Sequence, residues 1–139
     1  MQQSEAVALL KNEGYTLLIY GENKSISSRE RGVAPLLALF DKKINLSSYA
    51  AVDRVVGKAA AFLYIALGIK EIYALTVSES ARSLLEEHGA CIVYETLVPR
   101  ILNRSGNGFC PMESAVLEES DPFRALESIR KTRERLAAK

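Results

Sequence analysis

This sequence is short of the residues that most often announce chemistry. It has two cysteines, Cys91 and Cys110, and one histidine, His88. Two cysteines are too few for a disulfide scaffold, and thiols of cytosolic proteins stay reduced. Their spacing is not C-x-x-C, so a redox pair has no sequence support. A catalytic zinc needs about three protein ligands and a structural one about four. His88, Cys91 and Cys110 are the only set that offers itself, and it is discounted because His88 ends a predicted helix and Cys91 opens a strand expected to be buried. No metal and no cofactor are expected.

Charge of one sign is also missing. Eighteen Lys and Arg residues face seventeen Asp and Glu, a formal net charge of +1. No global field recruits nucleic acid or an anionic membrane, and no basic stripe is interleaved with aromatics. Long apolar runs are absent: the longest, Ala59 to Ile69, is flanked by Lys58 and Lys70 and falls short of the roughly 18–20 residues a membrane crossing requires. The opening MQQSEAVALLKNEGY lacks a basic leader followed by an apolar block. A soluble, cytoplasmic protein is expected. Without repeats, low-complexity segments or a Pro/Gly/Ser-rich linker, the 139 residues are read as a single domain, 1–139.

What is present reads as alternating elements. Ser4 can cap a first helix that Gly14 stops. Tyr15 to Tyr20 is a strand, and a weaker strand at Ser25 to Arg29 would close a hairpin. Pro35 sits in the first turn of a short helix reaching Phe40. Val52 to Leu67, small or apolar almost all round, reads as one buried helix ended by Gly68. Then come a strand at Glu71 to Val77, an amphipathic helix at Glu79 to His88 stopped by Gly89, and a strand at Ala90 to Val98. Pro111 and Pro122 open two final helices. The order αββααβαβαα predicts an α/β fold, a three-layer α/β/α sandwich around a mixed sheet of about four strands.

That order resembles the cytidine-deaminase-like fold. More narrowly, the stretches GVAPLLALF, VDRVVGKAAA, LTVSESARSLLEEHG and NRSGNGFCPMES resemble a small uncharacterised bacterial family, a domain of unknown function, assigned to that fold. The resemblance spans nearly the whole chain and implies no established activity. Zinc deaminases carry His-x-Glu at one helix start and Pro-Cys-x-x-Cys at the next. The matching places read here as Asp53-Arg54-Val55 and Val77-Ser78-Glu79-Ser80-Ala81. The resemblance therefore implies a zinc-independent scaffold without deaminase chemistry.

Six residues are singled out for a site. Cys110, with Pro111 after it, would be the N-cap of a short helix, where the helix end favours a thiolate, while Glu113 in the same turn opposes one. These two are the catalytic candidates. Asp53 and Lys58, placed on the buried helix, would project about 140° apart. A lysine on a buried face is costly unless paired, and Gly57 beside it hints at a close approach by a ligand or backbone. Asn103 and Arg104 precede a glycine-bearing tip, where Arg104 could hold a carboxylate or phosphate bidentately. Asp53, Lys58, Asn103 and Arg104 are the ligand-binding candidates. Each has a plainer role: a cap, a packed lysine, a loop arginine, a small buried thiol. Ser78 is expected to cap the helix it precedes.

Two functions follow. One is binding of a small anionic ligand, nucleotide-like by analogy with the fold, with group-transfer chemistry at Cys110. The alternative is a non-enzymatic interaction or structural protein, a homodimer by default, joined through apolar residues of its first and last helices.

Overall fold

The structure is a computed structural model, described here over residues 1–102 and 110–137. Eleven elements follow one another: α1 (Gln3–Glu13), β1 (Leu17–Tyr20), β2 (Ser25–Ser28), α2 (Ala34–Asp41), β3 (Ala50–Val56), α3 (Lys58–Leu67), β4 (Glu71–Ser78), α4 (Glu79–Glu87), β5 (Cys91–Val98), α5 (Pro111–Ala115) and α6 (Pro122–Ala137). The sheet has five strands, not about four, in the order β2-β1-β3-β4-β5. β1 runs antiparallel to both β2 and β3, whereas β3, β4 and β5 are parallel.

The extra strand is β3, cut from the front of the segment expected to be one long helix. Val52, Val55 and Val56 are β-branched and prefer a pleated strand. β3 is central and, from Ala51 to Asp53, buried on both faces, and such a strand lacks the alternation that would tell it from a buried helix. Its register with β4 pairs Ala51 with Ile72 and Val56 with Val77. Gly57 then ends the strand and serves as N-cap of α3.

Alternation along β1 splits the core. Leu17 and Ile19 join a large cluster with Phe62, Tyr64, Leu85 and Ile129, which holds α2, α3, α4 and α6 to one face of the sheet. Leu18 and Tyr20 face the other way, joining Val52 beneath Ala6 and Leu10 of α1. The helix stops at Gly14 and Gly68 are as expected, both in the left-handed conformation that glycine adopts without strain. The start of α1 differs: Gln2 is the N-cap, and Ser4 lies inside the helix.

β5 also departs from expectation. Cys91 is exposed, and most of the strand with it, because β5 is the sheet's edge and α1 packs mainly over β1 and β3. No described helix is long and apolar enough to cross a membrane.

Candidate functional site

The parallel strands β3, β4 and β5 all end on the same side of the sheet, where ligands of open α/β sheets gather. There the chain turns through Gly57 into α3 and through Ser78 into α4. The Ser78 hydroxyl accepts from the Ala81 N–H at 3.2 Å, the expected cap. Cys110 is the N-cap of α5, also as expected, with its thiol half-buried and Pro111 in the first turn.

Glu113, in that same first turn, reaches across to α3. Its Oε1 accepts the Lys58 N–H at 2.6 Å and its Oε2 accepts the Ala59 N–H at 2.9 Å. These are among the donors that an α-helix leaves unpaired at its start, and the aligned peptide dipoles favour a negative charge there. Glu113 is 8% exposed. Burial raises its pKa above the usual glutamate range, against the pull of the Ala59 and Lys58 N–H groups and the Lys58 ammonium. Glycine at 57 is required by this approach, since a Cβ there would lie 2.4 Å from the Glu113 carboxyl carbon. The backbone of Gly57 is extended and unstrained, so contact, not conformation, selects it.

Lys58 is not the mid-helix buried lysine expected from the sequence. It is the first residue of α3, and its Nζ donates to the Leu117 carbonyl at 2.9 Å while lying 5.8 Å from the Phe62 ring centre. Both ends of Lys58 therefore hold the α5 segment. Beside this junction is a cavity of about 200 Å³ lined by Lys58, Ser80, Pro99, Arg100, Glu113 and Leu117, among others. A more open hollow of about 480 Å³ sits by the far end of α3, near Phe40, Ile44 and Leu67. Of its charged lining residues Asp41, Lys43 and Arg130, the first and last are engaged with each other through a two-pronged ion pair, and the hollow is remote from the strand ends. The smaller cavity has the better chemistry.

Asp53 occupies a different place from the one expected, on β3 and not on a helix. It points into the core beneath α3, where the Tyr64 hydroxyl donates to its Oδ2 at 2.6 Å. Burial pushes the Asp53 carboxyl up to about 7, against the Tyr64 hydrogen bond and two backbone N–H groups, and drives the Tyr64 phenol well above its ordinary value. Asp53 is not among the residues lining the cavity.

Of the six candidates, the structure brings Lys58 and Glu113 into direct contact and sets Cys110 three residues before Glu113. Asn103 and Arg104 lie outside the described residues. Arg100 and Tyr64, the partner of Asp53, carry no motif in the sequence, and Ser80 stands where a zinc deaminase would place a cysteine. Three valines running into a glycine were the signal that a strand-to-helix turn stood at Gly57. Among the described residues, no three His, Cys, Asp or Glu side chains converge as a metal site would require.

Comparison with known proteins places the chain. The profile of a domain of unknown function, DUF1893, matches residues 5–132. The chain belongs to the DUF1893 family. The crystal structure of a DUF1893 family protein, TM1506 from Thermotoga maritima, is 30% identical and superposes with a TM-score of 0.83, covering 97% of this chain and 92% of that one. No curated protein matches the chain. The DUF1893 assignment agrees with the resemblance read from the sequence to a family of unknown function, and an α/β fold with a mixed sheet carries it.

Proposed function

We propose that this DUF1893 chain binds a small anionic or nucleotide-like ligand on a zinc-free, cytidine-deaminase-like scaffold. The observation that carries the reading is the carboxylate of Glu113 seated on the Lys58 and Ala59 N–H groups beside an open cavity. A helix start that already holds one anion is suited to another, and Gly57 leaves the room. The incoming phosphate or carboxylate would take these N–H groups in place of Glu113, with the Lys58 ammonium and Arg100 nearby to share its charge. The hairpin preceding a parallel β-α-β-α-β run supports the kinship of scaffold. A nucleotide-like ligand rests on that kinship alone. Cys110 is not among the described lining of the cavity, so binding, without group transfer, is the conclusion drawn.

Isothermal titration with inorganic phosphate and with adenosine monophosphate tests the reading. Lys58→Met is expected to weaken binding about tenfold, and Glu113→Ala to tighten it by freeing the helix start. An Arg104→Ala arm reads whether that arginine contributes. Equal affinities in the wild type, Lys58→Met and Glu113→Ala, or no binding in any of them, would overturn it.

A further inference from the structure

The two edges of the sheet are built differently. β2, at one end, is four residues long and reads Ser-Ile-Ser-Ser, with Arg29 and Glu30 directly after it. Short, polar, charge-flanked edges discourage pairing with other strands. β5, at the other end, is eight residues long and reads Cys-Ile-Val-Tyr-Glu-Thr-Leu-Val, with Val93, Tyr94 and Leu97 exposed. No described strand pairs with its outer side. Its single charge, Glu95, is occupied within the molecule by the Lys11 ammonium at 2.9 Å and the Tyr73 hydroxyl at 2.8 Å.

The hydrogen-bonding sense of that edge is fixed. The Cys91 N–H donates inward to the Lys70 carbonyl at 2.7 Å. By alternation Cys91, Val93, Glu95 and Leu97 turn their peptide groups towards β4, whereas Ile92, Tyr94, Thr96 and Val98 turn theirs outward. Side chains alternate too: Glu95 shares the α1 side of the sheet with Tyr73, and Ile92 packs against the main core on the other side.

We infer that β5 pairs antiparallel with β5 of a second copy of this chain, joining two sheets into one of ten strands about a two-fold axis at Tyr94. An axis normal to the sheet must pass through a residue, since only then do paired side chains share a face. An axis at Glu95 would set two carboxylates directly opposite, which is unfavourable. An axis at Val93 would leave Leu97 beyond the end of the partner strand. The axis at Tyr94 engages the strand from Cys91 to Leu97. It sets Tyr94 against the partner's Tyr94 and Ile92 against the partner's Thr96 as hydrogen-bonded pairs, with Cys91 opposite the partner's Leu97 and Val93 opposite the partner's Glu95 in between. The charge then meets a valine and keeps Lys11, and Val93 and Leu97 of both copies form one apolar patch. A second copy is the occupant favoured because the edge complements itself in length, in hydrogen-bonding sense and in charge placement.

A seam of one strand pair lies at the small end of interface sizes, so dissociation in the micromolar range is expected. Sedimentation velocity of the full chain from about 2 to 200 µM should show conversion of the 15.3 kDa monomer to a dimer. Thr96→Pro deletes an outward N–H that β4 does not use, and should leave a folded monomer at every concentration. In a Cys110→Ser background, Leu97→Cys should give a covalent dimer on mild oxidation, because the new thiol lies opposite the partner's Cys91 at disulfide distance. A monomer throughout, a dimer untouched by Thr96→Pro, or a dimer that the Leu97→Cys thiol does not cross-link would each overturn the inference. The cross-link stands as the deciding arm should Thr96→Pro fail to fold.

Discussion

The carboxylate of Glu113 fills the space that any side chain on Gly57 would need. The two residues are 56 positions apart in sequence, yet a Cβ on one would meet the carboxyl carbon of the other at 2.4 Å. Glu113 thus ties α5 to the first turn of α3, and the tie exists only because residue 57 has no side chain.

A double-mutant cycle should expose that dependence. Gly57→Ala pushes the carboxylate off the Lys58 and Ala59 N–H groups and is expected to cost about 2–3 kcal/mol by urea denaturation. Glu113→Ala removes the same two hydrogen bonds and should cost a similar amount. The double mutant should be little worse than either single one, giving a coupling of about 2 kcal/mol. Simple additivity would show that the two residues act separately.

Asp53 makes stability depend on pH in an unusual direction. Its carboxyl is raised from 3.8 to about 7 in the folded protein, so between those values the folded state binds the proton and the unfolded state does not. Stability is fully present below the unfolded value and falls as pH rises through about 7, then levels off. The raised Glu113 carboxyl acts with the same sign. Asp41 and Glu95, lowered by hydrogen bonds to Arg130 and Lys11, oppose both only in the acid range. Urea midpoints measured from pH 5 to 8.5 should therefore fall by an amount worth a few kcal/mol. Asp53→Asn should flatten most of that slope and be the more stable protein at pH 8.

Tyr64 governs how severe this becomes. Its hydroxyl is the side-chain donor to the buried Asp53 carboxylate, at 2.6 Å. Tyr64→Phe leaves the charge with backbone donors only, which should cost about 1–3 kcal/mol at pH 8. At pH 5 the carboxyl is protonated and the penalty should shrink. Equal losses at both pH values would mean that Tyr64 matters for packing and not for the charge.

The sequence announced the ends of elements better than their kind. Gly14, Gly68, Pro35, Pro111, Pro122 and Ser78 each mark a helix boundary as local backbone chemistry dictates, and those boundaries stand. β3 was hidden because burial on both faces removes the alternation that reveals a strand. That one error moved Asp53 onto a helix and Lys58 into its middle. The site shared the same fate: Glu113 was visible as a first-turn acid of α5, but its bond to α3 spans 55 residues and has no local signature. Asp53 and Tyr64, eleven apart on two elements, meet only once β3 and α3 are folded over each other. The exposed edge was illegible because a largely apolar strand such as Cys91–Val98 looks the same whether it lies inside a sheet or beside water.

Arg54 supplies the last test. It leaves β3 on the α1 side, and its guanidinium donates to the Tyr15 carbonyl at 2.5 Å and the Leu10 carbonyl at 3.1 Å. Leu10 is in the last turn of α1, where its carbonyl also accepts the Gly14 and Tyr15 N–H groups and a cation is favoured by the helix dipole. α1 is otherwise held by the packing of Ala6 and Leu10, mainly over β1 and β3, by the Lys11–Glu95 ion pair to β5 and by Arg29 donating to the Glu13 carbonyl. Charged hydrogen bonds of this sort contribute about 1.5–3 kcal/mol each way of counting, so Arg54→Ala should lower stability by about that amount. The loss should be local first. Hydrogen exchange is expected to speed up through Gln3–Glu13 while α3 and α4 keep their protection. Arg54→Lys should recover only part of the loss, because one ammonium lacks the fork that spans two carbonyls. Uniform acceleration across all helices would instead mark Arg54 as part of the global core.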